Sequence, residues 1–134
     1  GSSMAFDMSP QDNVLLAPAF GSQRRRWQGV LELTEGSGAP ASFNLSLQME
    51  VAEGRVSGDG LTQMDDKVEI FGSYVFSCVT LEIVMHRSAR LAFQCHGEIN
   101  GELASMAGAA TLGCVFPDDC ACLGHRGKFH IYRA

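Results

Sequence analysis

From Trp27 to Ala134 the sequence is a series of short segments in which apolar and polar residues alternate, separated by glycine-containing breaks. A period of two places successive side chains on opposite faces of a β-strand. The alternation is clearest in residues 43–51, where Phe, Leu, Leu, Met and Val alternate with Asn, Ser, Gln and Glu. The pattern predicts an all-β domain whose strands each bury one face.

Eight segments of this kind follow one another with short turns between them. They cover residues 26–34, 43–51, 55–60, 68–76, 78–86, 90–98, 101–113 and 126–133. Eight antiparallel strands close a sheet around an interior that side chains just fill, or that holds one small ligand. We therefore predict an antiparallel up-and-down β-barrel of about eight strands. A barrel of five or six strands, or a sandwich, is the alternative.

The alternation also assigns side chains to the inside of the barrel. The predicted inner face is almost wholly apolar and comprises Trp27, Leu31, Leu33, Phe43, Leu45, Leu47, Met49, Val68, Ile70, Leu81, Ile83, Leu91, Phe93, Phe129 and Ile131. In residues 68–76 the same face continues through Tyr74 and Phe76. For 78–86 and 90–98 to share an inner face, Met85 must pair with Leu91 and Ile83 with Phe93.

Glycines and small residues shape two of the predicted strands. Gly58 and Gly60, two positions apart, indicate a bend at a barrel corner. The segment 101–113 is predicted as a small-residue strand in which Leu103, Ser105, Ala107 and Ala109 let the wall approach bulky partners opposite.

The 134 residues are predicted to form one domain. Residues 1–4 have the composition of a vector-derived remnant, 5–25 form an N-terminal arm and 26–134 form the β-barrel domain. The arm carries four large apolar residues, which are Val14, Leu15, Leu16 and Phe20. It is interpreted either as a loosely attached segment or as a strap that these residues anchor across the barrel.

Charge and composition narrow the classes of partner. The formal net charge is -5, so the chain lacks the basic field that nucleic acid or anionic lipid requires. Arg24–Arg26 are the one basic cluster and are expected to meet acidic groups. No apolar run approaches the roughly 20 residues of a membrane-spanning helix. The five cysteines are an odd number, so we expect a cytoplasmic protein without a disulfide framework.

Several motifs resemble those of calycin- or avidin-like small β-barrel modules. They are Trp27-x-Gly29, Gly54-x-Val56-x-Gly58-x-Gly60, Val68-Glu-Ile70-Phe-Gly72-Ser-Tyr74 and Gly127-x-Phe129-x-Ile131. The resemblance covers most of residues 27–133 and implies the barrel scaffold. The matched residues are glycines at corners and aromatic or aliphatic core residues, so the resemblance implies no functional residue. Biotin binding is not implied, since the single Trp stands at a structural position.

A cysteine-rich segment is the candidate metal site. Cys114, Cys120, Cys122 and His125 offer thiolate and imidazole groups, which are the usual ligands of zinc. Their spacing departs from the paired C-x2-C to C-x4-C arrangement of structural zinc sites, so we predict no cofactor and keep zinc as a weaker hypothesis. His86 and His96 are expected to point outward and far apart, and Asp65 and Asp66 to be solvated in a turn.

Three hypotheses about function follow from the barrel. The first is a non-catalytic module for protein interaction or self-association, part of a larger complex, whose outer-face contact residues are Val30, Phe71, Val75, Val84 and Tyr132. The alternative is a lipocalin- or avidin-like carrier of a small apolar ligand. A further alternative is an enzyme of the barrel cyclase or isomerase kind. The candidate polar groups of an interior pocket are Tyr74, Cys95 and Ser105.

Overall fold

The protein is described by a computed structural model covering residues 24–35, 41–87, 90–114 and 125–134. These residues form eight strands, namely β1 (Arg25–Glu35), β2 (Ala41–Ala52), β3 (Arg55–Thr62), β4 (Lys67–Val75), β5 (Cys78–His86), β6 (Arg90–Ile99), β7 (Ser105–Cys114) and β8 (Arg126–Arg133). Each strand pairs antiparallel with the next, and β8 pairs with β1, so the sheet is a closed barrel in chain order. The predicted up-and-down barrel is confirmed.

Two expectations concern residues outside the described ranges: the N-terminal arm, nearly all of which lies there, and membrane-spanning segments, which could be examined only within those ranges. The predicted N-terminal arm, with its strap anchors, falls outside the described residues as far as residue 23. Within the described ranges, no helix is long and apolar enough to cross a membrane.

The interior of the barrel is filled by the apolar side chains that the alternation assigned to it. The predicted inward residues are buried, apart from Leu91 and Tyr74, which are partly buried and pack against the same cluster, and Phe76, which is exposed. Phe43 and Phe93 meet edge to face across the interior, with ring centroids 5.9 Å apart. Tyr74 and Leu103 are partly buried and pack against this core. The core therefore occupies the space in which a hollow barrel would hold a ligand.

The hairpin of β5 and β6 has the register that its inward side chains require. Met85 pairs with Leu91 and Ile83 with Phe93, as predicted. His96 pairs with Thr80 on the exposed face, whereas His86 lies near the other end of the hairpin. The prediction that these two histidines point outward and stand far apart is confirmed.

The small-residue strand β7 has the opposite phase from the one predicted. It begins at Ser105, and its inward residues are Met106, Ala110 and Leu112, whereas Ala107 and Ala109 are exposed on the outside. Both alternating sets of this strand are small or apolar, so the alternation alone does not determine which set points inward. Pairing decides it, because Met106 lies opposite Ile99 on one side and Ile131 on the other, both of them buried.

Glycine is required at inner-face positions where neighbouring strands lie close together. A Cβ atom at Gly60 would collide with the backbone of β2 and would stand 2.9 Å from the Cα atom of Leu47. Gly58 meets the same strand, at 2.8 Å from the Cα atom of Met49. Only residues without a side chain allow β3 to lie so close to β2, whereas the predicted bend at a barrel corner stays a prediction.

We predict that Gly60→Ala lowers the free energy of unfolding by about 1–3 kcal/mol, because the added methyl group forces β3 away from β2. Gly101 is the matched control, since a Cβ atom there has no heavy atom within 4 Å. Gly101→Ala is expected to change stability by less than about 0.5 kcal/mol. Urea unfolding of the two variants measures both values, and equal stability of the two would contradict the close-approach argument.

Candidate functional site

The predicted outer-face contact residues do not form one surface. Phe71 and Val75 lie on β4 and are 46% and 65% exposed. Val30 on β1 is half-buried, and Tyr132 on β8 is exposed, four strands away around the barrel from β4. With Val84 on β5, the five predicted residues therefore belong to two separate regions, one on β4 and β5 and one on β8 and β1.

Val84 corrects the sequence prediction. It lies on the outer face of β5 between Glu69 and Ala92, yet its side chain is only 2% exposed and it is not part of the core cluster. Alternation predicts the direction of a side chain, whereas its exposure depends on the groups that surround it. The prediction that Val84 offers an accessible contact is wrong.

Phe76 is an exposed aromatic residue that the alternation misplaced. The pattern of β4 extended the inner face to Phe76, but the strand ends at Val75 and residues 76–77 form the turn to β5. Phe76 is 95% exposed and has φ 55°, in the left-handed region. Bulky residues rarely adopt this conformation, and glycine is the usual residue at such turn positions. With Val75 and Cys78, the turn forms an apolar hairpin tip, residues 75–78.

The hairpin tip is fastened to the barrel on both sides. The amide of Tyr74 donates a hydrogen bond of 3.0 Å to the carbonyl of Gly54, in the turn between β2 and β3. The amide of Ile99 donates one of 2.8 Å to the carbonyl of Ser77. These bonds join the tip to β6 and to the neighbouring turn, so the ring of Phe76 is presented on a supported backbone.

Carboxylates lie beside the hairpin tip. Glu98 is on the strand next to Cys78 and pairs with it in register. Glu53 belongs to the turn that bonds Tyr74, and Glu102 to the turn that follows Ile99. All three side chains are exposed. Arg55, also exposed, follows the same turn as Glu53 and pairs with Ser73 of β4, so both carboxylates and a guanidinium lie around this apolar projection.

A groove of about 760 Å³ runs over the outer face of β7, β8 and β1. The side chains that line it are Val30, Glu32, Ala107, Ala109, Lys128 and His130. Ala107 and Ala109 give the groove its depth, because each stands between larger side chains of β6 and β8. The Nε2 atom of His130 lies 3.3 Å from the Oγ atom of Ser105, and its ring centroid lies 5.1 Å from that of Tyr132.

The candidate polar groups of an interior pocket are not brought together. Cys95 is fully buried, and desolvation raises the pKa of its thiol to about 12, which keeps it protonated at neutral pH. Ser105 faces outward toward His130. Tyr74 is partly buried and packs against the core. A reactive or ligand-orienting cluster of these three groups does not form.

The zinc hypothesis falls mostly outside the described residues. Cys120, Cys122 and the side chain of Cys114 are not described, and His125 precedes β8, where its carbonyl accepts a hydrogen bond from Leu112. Within the described ranges, no group of three or more His, Cys, Asp or Glu side chains is arranged to hold a metal ion. A zinc site in this segment therefore stays a prediction.

Other candidate residues make polar contacts on the surface, two of them as ion pairs of arginine with aspartate. Arg24 of the basic cluster lies 3.2 Å from a carboxylate oxygen of Asp59. Asp66 lies 3.2 Å from the guanidinium of Arg87, and His86 lies 3.2 Å from Glu69. Exposed pairs of this kind contribute at most about 1 kcal/mol each. The basic cluster meets an acidic group as expected.

Comparison with known proteins finds no matching family model, no matching curated protein and no matching solved structure. The fold is therefore defined by the strand pairing of this chain, and the proposal about its function rests on the surfaces of the barrel.

We predict that Phe76→Gly is more stable than Phe76→Ala by about 1 kcal/mol, because glycine removes the cost of the left-handed backbone and alanine keeps it. Both variants lack the exposed ring, so the difference in their free energies of unfolding reports the cost of the backbone conformation at residue 76. Thermal and urea unfolding measure it. An alanine variant as stable as the glycine variant would contradict the strained conformation of residue 76.

Proposed function

We propose that the protein is a non-catalytic β-barrel module that binds another protein or assembles with itself. The hairpin tip makes the contact, with Phe76 and Val75 as its apolar anchors. The observation that carries the proposal is the 95% exposure of Phe76 on a backbone conformation that aromatic residues rarely adopt.

The fold alone gives no reason for a phenylalanine at this position. Its ring is exposed rather than part of the core cluster, and a glycine would meet the turn geometry at lower cost. Strained conformations of this kind cluster at functional sites. Aromatic side chains on a supported backbone are also typical of binding hot spots, since little conformational entropy is lost when they dock.

The interior of the barrel supports this proposal over the two alternatives. A carrier of a small apolar ligand needs a cavity with a few polar groups that orient the ligand. The inward side chains instead form one cluster of buried apolar residues. A cyclase or isomerase would need the same cavity and reactive groups in it, whereas the thiol of Cys95 is held protonated by burial.

The closed eight-stranded barrel supports a place among calycin- or avidin-like modules, which we propose as the structural relatives of this chain. A cytoplasmic location is part of the same proposal. It is supported by the free thiols of Cys78, which is exposed, and Cys95, which is buried.

Photocrosslinking tests the proposed contact. The photoreactive analogue p-benzoylphenylalanine replaces Phe76 in one variant and Met64 in another. Each variant is produced and irradiated in the cells that express the protein. Met64 is a matched control because it is 62% exposed in the turn between β3 and β4, at the other end of the barrel. We expect covalent adducts with a defined protein, or with a second copy, from position 76 and not from position 64.

Competition then separates a specific contact from chance encounters. Excess wild-type protein should suppress the position-76 adduct, and excess Phe76→Ser should not, because the serine variant lacks the anchoring ring. Adducts of equal yield from positions 64 and 76, or adducts that both competitors suppress equally, would overturn the hairpin tip as the contact.

A further inference from the structure

β2 extends beyond the end of its pairing with β3. The ladder between these two strands begins at Leu45, which lies opposite Thr62, whereas on its other side β2 pairs with β1 as far as Ala41. Among the described residues, 41–44 therefore have a paired strand on one side only, and we call them the open stretch of β2. Such a stretch presents backbone amides and carbonyls with which another chain can pair.

The main chain turns away from β2 directly after Thr62. The amide of Asp65 donates a hydrogen bond of 3.0 Å to the carbonyl of Thr62, and the amide of Thr62 donates one of 3.0 Å to the carbonyl of Asp66. The hydroxyl of Thr62 accepts bonds of 3.2 Å from the amides of Met64 and Asp66. Because the turn uses these backbone groups, the main chain of β3 does not follow β2 any farther.

The side chain of Gln63 takes the place that the main chain leaves. Its Oε1 atom accepts a hydrogen bond of 2.7 Å from the amide of Asn44, and its Nε2 atom donates one of 2.9 Å to the carbonyl of Ser42. In the register of the ladder between β2 and β3, residue 63 is the next partner of residue 44. The side-chain amide therefore continues the ladder as the peptide group of a paired strand would.

This contact uses both ends of the amide of Gln63. The backbone groups of Ser42 and Asn44, two residues apart, face the same side of β2, so one planar amide reaches an N–H and a C=O together. The opposite orientation of the amide would place its NH2 group against the N–H of Asn44. All three residues are exposed, so another chain can approach this side of β2 when the glutamine side chain is withdrawn.

We propose that Gln63 blocks strand addition to the open stretch of β2. Its side chain occupies the position of an incoming strand, and natural sheets protect their edges by comparable devices. Without this side chain, the open stretch becomes a site for an extended segment, which pairs through its backbone. The partner that fits it is the same stretch of a second copy, because two identical edges pair antiparallel about a two-fold axis. This contact is independent of the hairpin tip.

Amide hydrogen exchange at Asn44, followed by NMR, tests the contact itself. Gln63→Met keeps the length of the side chain and removes both polar groups. The amide of Asn44 is expected to exchange about fivefold faster or more in this variant than in wild type, since it loses its acceptor. The matched control is Gln48→Met, an exposed glutamine of β2 that lies within the ladder opposite Asp59, and it should leave exchange at Asn44 unchanged.

Sedimentation velocity over a range of concentrations tests the blocking role. All variants carry Phe76→Ser, which removes the anchor of the hairpin tip and keeps the two kinds of contact apart. Gln63→Met is expected to dimerise about tenfold more tightly than Gln48→Met, a difference of about 1.4 kcal/mol. Adding Ser42→Pro to Gln63→Met should abolish the gain, because proline removes an amide from the open stretch.

Three results would overturn the proposal. The first is exchange at Asn44 that Gln63→Met leaves unchanged, and the second is faster exchange without any gain in self-association over Gln48→Met. The third is a gain that survives Ser42→Pro, because the new contact would then lie elsewhere on the barrel. The photocrosslinking yield at position 76 has no bearing on these results, so this proposal and the proposed function fail separately.

Discussion

The pairing of β8 with β1 closes the sheet, and the other features of the molecule depend on this closure. A closed sheet has no edge strands, so no row of backbone amides and carbonyls is left for another chain to pair with. Closure also sets how tightly the strands must curve. Gly58 and Gly60 are needed at the inner face because β2 and β3 approach too closely there for any side chain. The space that remains inside is taken up by large apolar side chains.

A filled barrel with no free edge restricts where a function can be located. The closed sheet offers no edge to which a strand could be added, and the inward side chains form one apolar cluster, so the proposed contact is placed on the outer faces and the turns. The turn between β4 and β5 differs from its surroundings because an aromatic residue occupies a left-handed position in nearly full contact with solvent. Hydrogen bonds from Tyr74 to Gly54 and from Ile99 to Ser77 connect that turn to the wall on either side. These bonds hold the backbone that carries the exposed ring of Phe76.

Much of this fold could be predicted from the sequence because the inner face is apolar and the outer face polar in most strands. In β2 every second residue is buried, and in β5 and β6 the inward sets determine the register as well. The phase of β7 could not be predicted, since Ala107 and Ala110 carry the same side chain on opposite faces. In β7 the pairing with β6 and β8 determines which side chains point inward.

The candidate site was harder to predict than the fold. Phe76 continues an apolar alternation, so only the end of β4 at Val75 reveals that its ring lies in a turn. The sequence pattern leaves Ser77 alone between the two segments, whereas the structure has a two-residue turn, which is the kind that places a residue in the left-handed region. The groove depends on the side chains of β6, β8 and β1 around β7, and the burial of Val84 on groups outside its own strand, so neither follows from the pattern within one strand.

The central claim is that the barrel wall holds the hairpin tip in its exposed conformation before any partner binds. Amide hydrogen exchange, measured by NMR on the dilute protein, tests it at two amides. Tyr74 and Ile99 are predicted to exchange as slowly as the ladder amides of β4 and β6, since both donate hydrogen bonds across the base of the tip. Exchange of these amides at the rate of an unstructured chain would contradict the account, because Phe76 would then be presented by a mobile loop.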